Sequence, residues 1–242
     1  MKFDGTEKTI GHGAQAEVLL YHGFAYKIYK PTYPAEWIAF EKQQQNAVNI
    51  AGLCPVKYYD TDDPHIIKMD FVEGDTLEKK MTDLQSGASE ISGLSSITDG
   101  FDLLAEAFRF VHSADPSGTS IPHLIDTAGM TLSDDEKEKV LPVIERISRK
   151  MESRICHLDL HFLNIMIPHD KPGFTIIDWM NTRLAPPVFD YARTYVIFAE
   201  FAKEALALYK NAVWHDIEAL GISDKDFNAA VEVCSVLREH EK

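Results

Sequence analysis

Cysteine is scarce and poorly placed for cross-linking. The chain has three, Cys54, Cys156 and Cys234, an odd number at wide spacings. They match no zinc spacing and make no disulfide framework. Positive charge is also short: 24 Lys and Arg stand against 38 Asp and Glu, a net charge of −14. Phosphate backbones need a cationic face, so nucleic acid is not expected as a partner. Long apolar runs are missing as well. The most apolar stretch, Tyr191 to Tyr209, is interrupted by Glu200, Lys203 and Glu204. It reads as a buried helix, and no membrane partner is expected. MKFDGTEKTI has neither the basic nor the apolar region of a secretory signal, so a reducing cytoplasm is the expected location.

The 242 residues are 45% hydrophobic, enough for a real core in one bilobal domain or two small ones. Acidity is uneven. Residues 1–72 carry 7 Lys/Arg and 9 Asp/Glu, whereas residues 73–242 carry 17 and 29. An acidic second part suits a cationic small molecule, and it equally serves plain solubility.

The first third reads as strands. Glu17 to Tyr21 and Phe24 to Tyr29 flank the tight-turn dipeptide His22-Gly23. A helix is expected over Ala35 to Ala51, closed by Gly52 and Pro55. Val56 to Tyr59 and Ile66 to Phe71 read as two further strands. Beyond Gly74 the pattern turns helical. Leu77 to Leu84 and Phe101 to His112 are helix candidates, with SGASEISGLSS (86–96) as a loop between them. Ser133 and Glu136 form a capping-box signal for a helix toward Met151, which Pro142 is expected to kink or divide. The last fifty residues are expected to be helical. The fold class is therefore α+β, with a strand-rich unit (1–72) and a mainly helical unit (73–242).

The chemistry sits in HLDLHFLN (157–164) and IIDW (176–179). Two short apolar runs, Ile165 to Ile167 and Phe174 to Ile177, flank a Pro/Gly turn and predict a hairpin centred on Lys171. That symmetry sets Asn164 beside Asp178 at the open end, with Asp159 just upstream. Hard oxygen ligands, few in number, suit Mg²⁺ held together with substrate phosphates. Asn164 and Asp178 are the candidate metal ligands. Asp159 is the candidate base that accepts a proton from a hydroxyl.

H-x-D-x-x-x-x-N followed by strand, turn, strand and I-I-D resembles the signature shared by protein kinases and aminoglycoside phosphotransferases. His161, and Asp-Trp in place of Asp-Phe-Gly, favour the latter, as does DWMNTRLAPPVFDYART (178–194). The resemblance runs from about Ile10 to Thr194 and is specific over 157–194. It implies a bilobal kinase-like fold that moves the γ-phosphate of ATP, with Mg²⁺, to a small-molecule hydroxyl. In IGHGAQAEV (10–18) it assigns Gly11 and Gly13 to a phosphate loop, although such a string is more often a plain hairpin turn. It assigns Lys27 to the phosphates, paired with Glu41, with Glu36 as rival. It makes KMDFVEGDTL (68–77) the hinge, with Met69 behind the adenine, the backbone of Asp70, Phe71 and Val72 along its edge, and Val18, Ala25, Met166 and Ile177 on its faces. It makes Asp190 a loop brace. His157 is expected to anchor the catalytic loop, and His161 borders the acceptor or simply packs. Glu200 and Glu204, one helical turn apart, receive a cationic acceptor or form a solvated face.

Two positions depart from the family pattern: Leu158, where glycine is usual, and Phe162, where proline is usual. The short segment before His157 leaves little material for an acceptor-binding insert. Candidate acceptors are aminoglycosides, other amino sugars and choline-like amino alcohols. The alternative is a catalytically silent nucleotide-binding module. A further rival reads His157, Asp159 and His161 as transition-metal ligands of a hydrolase.

Overall fold

The structure is a computed structural model and describes residues 3–86 and 96–241. Most of the Gly/Ser-rich loop expected over 86–96 lies outside the described residues.

The amino-terminal part is a five-stranded antiparallel sheet. Its strands are β1 (Lys8–His12), β2 (Ala16–Tyr21), β3 (Phe24–Tyr29), β4 (Tyr58–Tyr59) and β5 (Ile66–Asp70). Their spatial order is β1-β2-β3-β5-β4. The β2–β3 hairpin closes through His22 (φ 48) and Gly23 (φ 77), the two left-handed positions that its two-residue turn demands. Helix α1 (Ala35–Ile50) follows β3 and ends at Gly52 (φ 72). Of the strand expected over Val56 to Tyr59, only Tyr58 and Tyr59 pair. The Val56 carbonyl is instead taken by the side-chain amides of Gln45 and Asn49 of α1.

Past β5 the chain forms β6 (Gly74–Thr76), α2 (Leu77–Gln85), α3 (Ile97–Ser113), α4 (Leu124–Thr127), α5 (Asp134–Ser148) and β7 (Arg154–Cys156). Then come β8 (Ile165–Pro168), β9 (Thr175–Ile176), β10 (Arg183–Ala185), α6 (Val188–Phe201), α7 (Leu206–Ala219) and α8 (Asp224–Glu239). Gly74 is required where it stands, because a Cβ there would collide with the Ile167 carbonyl of β8. Helix α3 starts earlier than its apolar pattern indicated, at a Ser96/Asp99 capping box. Helix α5 runs undivided through Pro142, whose ring lies on the exposed side. Water can serve the carbonyl that proline leaves without a donor. The apolar run Tyr191 to Tyr209 is not one helix. Ala202 (φ −150, ψ 58) breaks it, and a short 3-10 turn over Lys203–Ala205 leads into α7.

One large core joins Leu104, Phe108 and Val111 of α3, Ile144 and Ile147 of α5, Trp179, Phe189 of α6 and Val213 of α7. Fully burying each such side chain contributes about 1.5–3 kcal/mol. The end of α1, through Ala47 and Val48, belongs to this core, while Tyr29, Ile38 and Ile67 form a separate small cluster against the sheet. The sheet is thus mortised to the helical part by α1. No helix among the described residues is long and apolar enough to cross a membrane.

Candidate active site

The site lies in a cavity of about 1610 Å³ between the sheet and the helical part. β3 supplies Lys27 and α1 supplies Glu41. The Lys27 ammonium meets Glu41 Oε1 at 2.8 Å and Asp178 Oδ1 at 3.3 Å. Burial opposes its charge, but the carboxylates of Asp178 and Glu41 hold it well above the ordinary lysine value. Glu41 is 1% exposed and also accepts from the hydroxyls of Tyr29 and Tyr58. Glu36, the rival, is exposed on the first turn of α1. Burial, with the negative charge of Glu41 nearby, pushes both tyrosines up, so they remain donors.

The segment 157–164 leaves β7 and is braced by Asp190 of α6. Asp190 accepts the main-chain N–H of His157 (3.0 Å) and Leu158 (2.8 Å), and His112 Nε2 lies at 3.0 Å. His157 is fully buried. Its Nε2 donates to the Ile177 carbonyl (3.1 Å), tying the loop to the segment just after β9 that carries Asp178. Burial lowers the His157 pKa and keeps the ring neutral. Leu158 sits at φ 57, the region glycine adopts without cost. The usual glycine at this place thus has a backbone reason, and leucine holds the conformation against strain.

The hairpin forms with a register one residue away from the expected symmetry. Ile165 pairs with Ile176, and Met166 with Thr175. Asn164 therefore faces Ile177, whose N–H donates to the Asn164 carbonyl at 3.0 Å. Phe174, read as part of the second strand, lies outside it and packs edge-on against Phe110. Asp178 comes one residue later, in the left-handed region (φ 62), with its carboxylate at Lys27.

Asn164 Nδ2 donates to the main-chain oxygen of Asp159 (2.8 Å) and approaches its carboxylate (3.3 Å). The need for a donor there fixes the amide orientation and leaves Asn164 Oδ1 as an acceptor. Asn164 and Asp178 both line the cavity. An amide oxygen and a carboxylate fit the hard-donor preference of Mg²⁺. Burial raises the Asp159 pKa, but the nearby side chains of His161 and Arg193 outweigh it, so the carboxyl stays below its usual range. His161 does more than pack. Its Nδ1 accepts the Leu163 N–H (3.3 Å), capping the 3-10 turn over Phe162–Asn164, and its Nε2 lies 3.7 Å from Asp159.

The other expected positions line the same cavity: Gly11, Gly13, Val18, Ala25, Met69, Asp70, Phe71, Val72, Met166 and Ile177. A Cβ on Gly11 or Gly13 would make only ordinary contacts, 3.5 Å to Val18 and 3.4 Å to the Ala16 oxygen. The fold itself therefore does not require these two glycines. The Asp70 N–H is already bound to the Lys57 carbonyl, so the main-chain amides past the last ladder pair are those of Phe71 and Val72.

Two arginines were not anticipated. Arg193 is 3% exposed; it donates to Glu241 and to the Cys234 carbonyl (3.5 Å). Arg238 donates to Glu200 (2.7 Å) and lies 3.9 Å from Asp159. The signal for Arg193 was a lone arginine inside the apolar run Tyr191 to Phe198. Glu204 falls in the 3-10 turn after α6, so it does not share a helical face with Glu200. His157, Asp159 and His161 do not gather as a metal trio. Among the described residues the one tight grouping of such donors is His112, Cys156 and Asp190, of which Asp190, held by His112, braces the loop.

A strand lysine paired to a helix glutamate, a loop aspartate and a hairpin that ends in Asp178 define a kinase-like bilobal fold. The chain matches the phosphotransferase enzyme family over residues 8–220 and belongs to it. Its fold is similar to that of an ethanolamine kinase from Plasmodium vivax, with a TM-score of 0.60 and 14% identity over 97% of this chain and 73% of that one. It is similar to an aminoglycoside phosphotransferase from Streptomyces rimosus, with a TM-score of 0.59 and 15% identity over 96% and 93%. A choline kinase from Streptococcus pneumoniae gives 0.55 and 15% over 98% and 86%. At these identities the likeness speaks to the fold. No curated protein matches the chain by sequence.

Proposed function

We propose that the chain transfers the γ-phosphate of ATP to a hydroxyl of a small, positively charged molecule. The observation that carries this reading is the position of Lys27, which bridges Glu41 and Asp178 in the cavity that Asp159 also lines. In this reading residues 1–72 hold the nucleotide, and residues 73–242 supply the catalytic and acceptor groups. ATP with Mg²⁺ supplies the phosphoryl group and the charge neutralisation that its transfer needs. Lys27, oriented by Glu41, holds phosphate oxygens. Asn164 and Asp178 hold the divalent ion. Gly11 and Gly13 keep the roof of the cleft low enough for main-chain amides to approach phosphate. Asp159 takes the proton of the acceptor hydroxyl as that oxygen bonds the γ-phosphorus and the bridging P–O bond breaks to release ADP; its lowered pKa keeps it ionised and ready to accept.

A cationic acceptor is supported by Asp159 and Glu200, between which the Arg238 guanidinium already lies. The named activities of the similar structures, toward aminoglycosides, ethanolamine and choline, agree with such an acceptor. The test is ADP release from ATP·Mg²⁺ across a panel of amino sugars and amino alcohols. Acceptor-dependent release that Asp178→Ala abolishes is the expected result. Tight ATP binding with no release on any acceptor would turn the reading toward a silent nucleotide-binding module.

A further inference from the structure

The segment 237–241, the end of α8 and the two residues after it, is tied down by charge and not by burial. Helix α8 is anchored through Phe227, Ala230, Val233 and Cys234, all buried. Beyond Cys234 no residue of the chain is buried among those described. Instead the side chains at 238, 240 and 241 each reach across to another element. Arg238 donates to Glu200 of α6 at 2.7 Å, lies 3.9 Å from Asp159 and stands 5.5 Å above the Phe201 ring. His240 lies 2.9 Å from Glu136 of α5. Glu241 accepts from the buried Arg193 of α6. Leu237, His240 and Glu241 line the same cavity as Asp159. The Arg238–Glu200 and His240–Glu136 pairs are partly solvated, and pairs of this kind hold weakly and can exchange partners.

We propose that segment 237–241 is a self-supplied gate on the acceptor side of the cleft, in which Arg238 occupies the place beside Asp159 that the cationic group of the acceptor takes. The inference concerns regulation of the proposed site and rests, for its functional half, on Asp159 as the base. A guanidinium held between two carboxylates and over an aromatic face is a bound cation in all but covalent attachment. An incoming ammonium or guanidinium takes over Glu200 and Phe201, and Arg238 swings out with its turn. With Arg238 in place the Asp159 side chain is 22% exposed, and opening the turn admits more water to it, which raises wasteful hydrolysis of ATP.

Cys234 reports the gate independently of catalysis. It is 2% exposed, lies one helical turn before this segment with its Sγ on the Phe189 carbonyl of α6, and lines the same cavity; burial pushes its thiol up to about 12. Opening the turn uncovers it. The experiment compares the parent with Arg238→Gln/Glu241→Gln and with Glu136→Gln. The last keeps the capping box of α5, since glutamine serves at that position, while removing the charge that faces His240. A neutral maleimide is applied, and modification of each cysteine is followed by peptide mass spectrometry. We expect Cys234 to react at least about fivefold faster in both variants, with Cys54 and Cys156 unchanged. Equal rates at Cys234 in parent and variants would overturn the gate. Acceleration at all three cysteines, marking general unfolding, would overturn it too.

The functional half is read from ATP·Mg²⁺ without acceptor. Water bonds the γ-phosphorus, the bridging P–O bond breaks to release ADP, and the water proton passes to Asp159. This hydrolysis should rise severalfold in the arginine–glutamate variant. A variant with a reactive Cys234 and unchanged or lower hydrolysis would refute the screening role. If neither parent nor variant turns over ATP with or without acceptors, the phosphotransfer reading fails, and the labelling rates alone decide the gate.

Discussion

Lys27 and Asp178, separated by 151 positions in sequence, meet at 3.3 Å, and Glu41 receives the same ammonium at 2.8 Å. The sheet, α1 and the β8–β9 hairpin are locked together at this one nitrogen. Glu41 is 1% exposed, so its carboxylate depends on Lys27, Tyr29 and Tyr58 for compensation. Lys27→Met fills the space but leaves Glu41 facing two neutral hydroxyls. Breaking a buried pair in this way costs about 3 kcal/mol. Urea unfolding should show that loss, along with loss of ATP-dependent thermal stabilisation. Full stability in Lys27→Met would mean that Glu41 is satisfied without the lysine.

Asp159→Asn keeps the shape of the side chain and the main-chain oxygen to which Asn164 donates. It removes only the capacity to accept a proton. Transfer to the acceptor should fall by about 10²- to 10⁴-fold, while ATP affinity changes little. Steady-state ADP release and nucleotide titration measure the two effects separately. A variant that retains parent kcat would strip Asp159 of its role.

Much of this arrangement was legible in the sequence because its signals are local. The His22-Gly23 turn forces the β2–β3 hairpin, and that hairpin puts Lys27 on an interior strand. The Pro/Gly turn after Pro168 brings the Asn164 and Asp178 ends together. The one-residue register shift was not legible, because apolar residues do not declare which of them pair: Phe174 packs on Phe110 instead of joining the ladder. Strands β7 and β10 were missed because three-residue strands have no measurable period. Arg238 at Asp159 was beyond reach for a different reason. That contact depends on how α8 packs against α5 and α6, a tertiary relationship no local pattern encodes.

Leu158 sets two effects against each other. At φ 57 a leucine carries about 1–2 kcal/mol of strain that glycine would not. The same side chain is 8% exposed, and removing a buried leucine costs about 2–5 kcal/mol. Burial should win. Leu158→Gly is expected to be less stable by about 1–3 kcal/mol, read by urea unfolding. It also enlarges the cleft beside Asp159, so bulkier acceptors should gain in kcat/KM relative to small ones. A variant more stable than the parent would show that strain dominates.

Asp226 near the start of α8 gives a pH signature. Hydrogen bonds from Arg146, joined by those from Lys150 and Ser223, hold its carboxyl at about 2, below the ordinary 3.8. A depressed folded pKa means that the ionised form stabilises the native state. The contribution is fully present above about pH 4 and is lost as pH falls through 2. Arg146 and Lys150 are 37% and 51% exposed, so water screens the pairs and the gain is held to about 1–2 kcal/mol. Asp226→Asn should therefore be less stable than the parent by that amount at pH 7. The difference should shrink as pH falls below 4 and vanish only below about pH 2, where the parent carboxyl has taken up its proton. Chemical unfolding of both proteins across that range measures it. A gap that stays constant into acid would show that the residue acts through shape and not through charge.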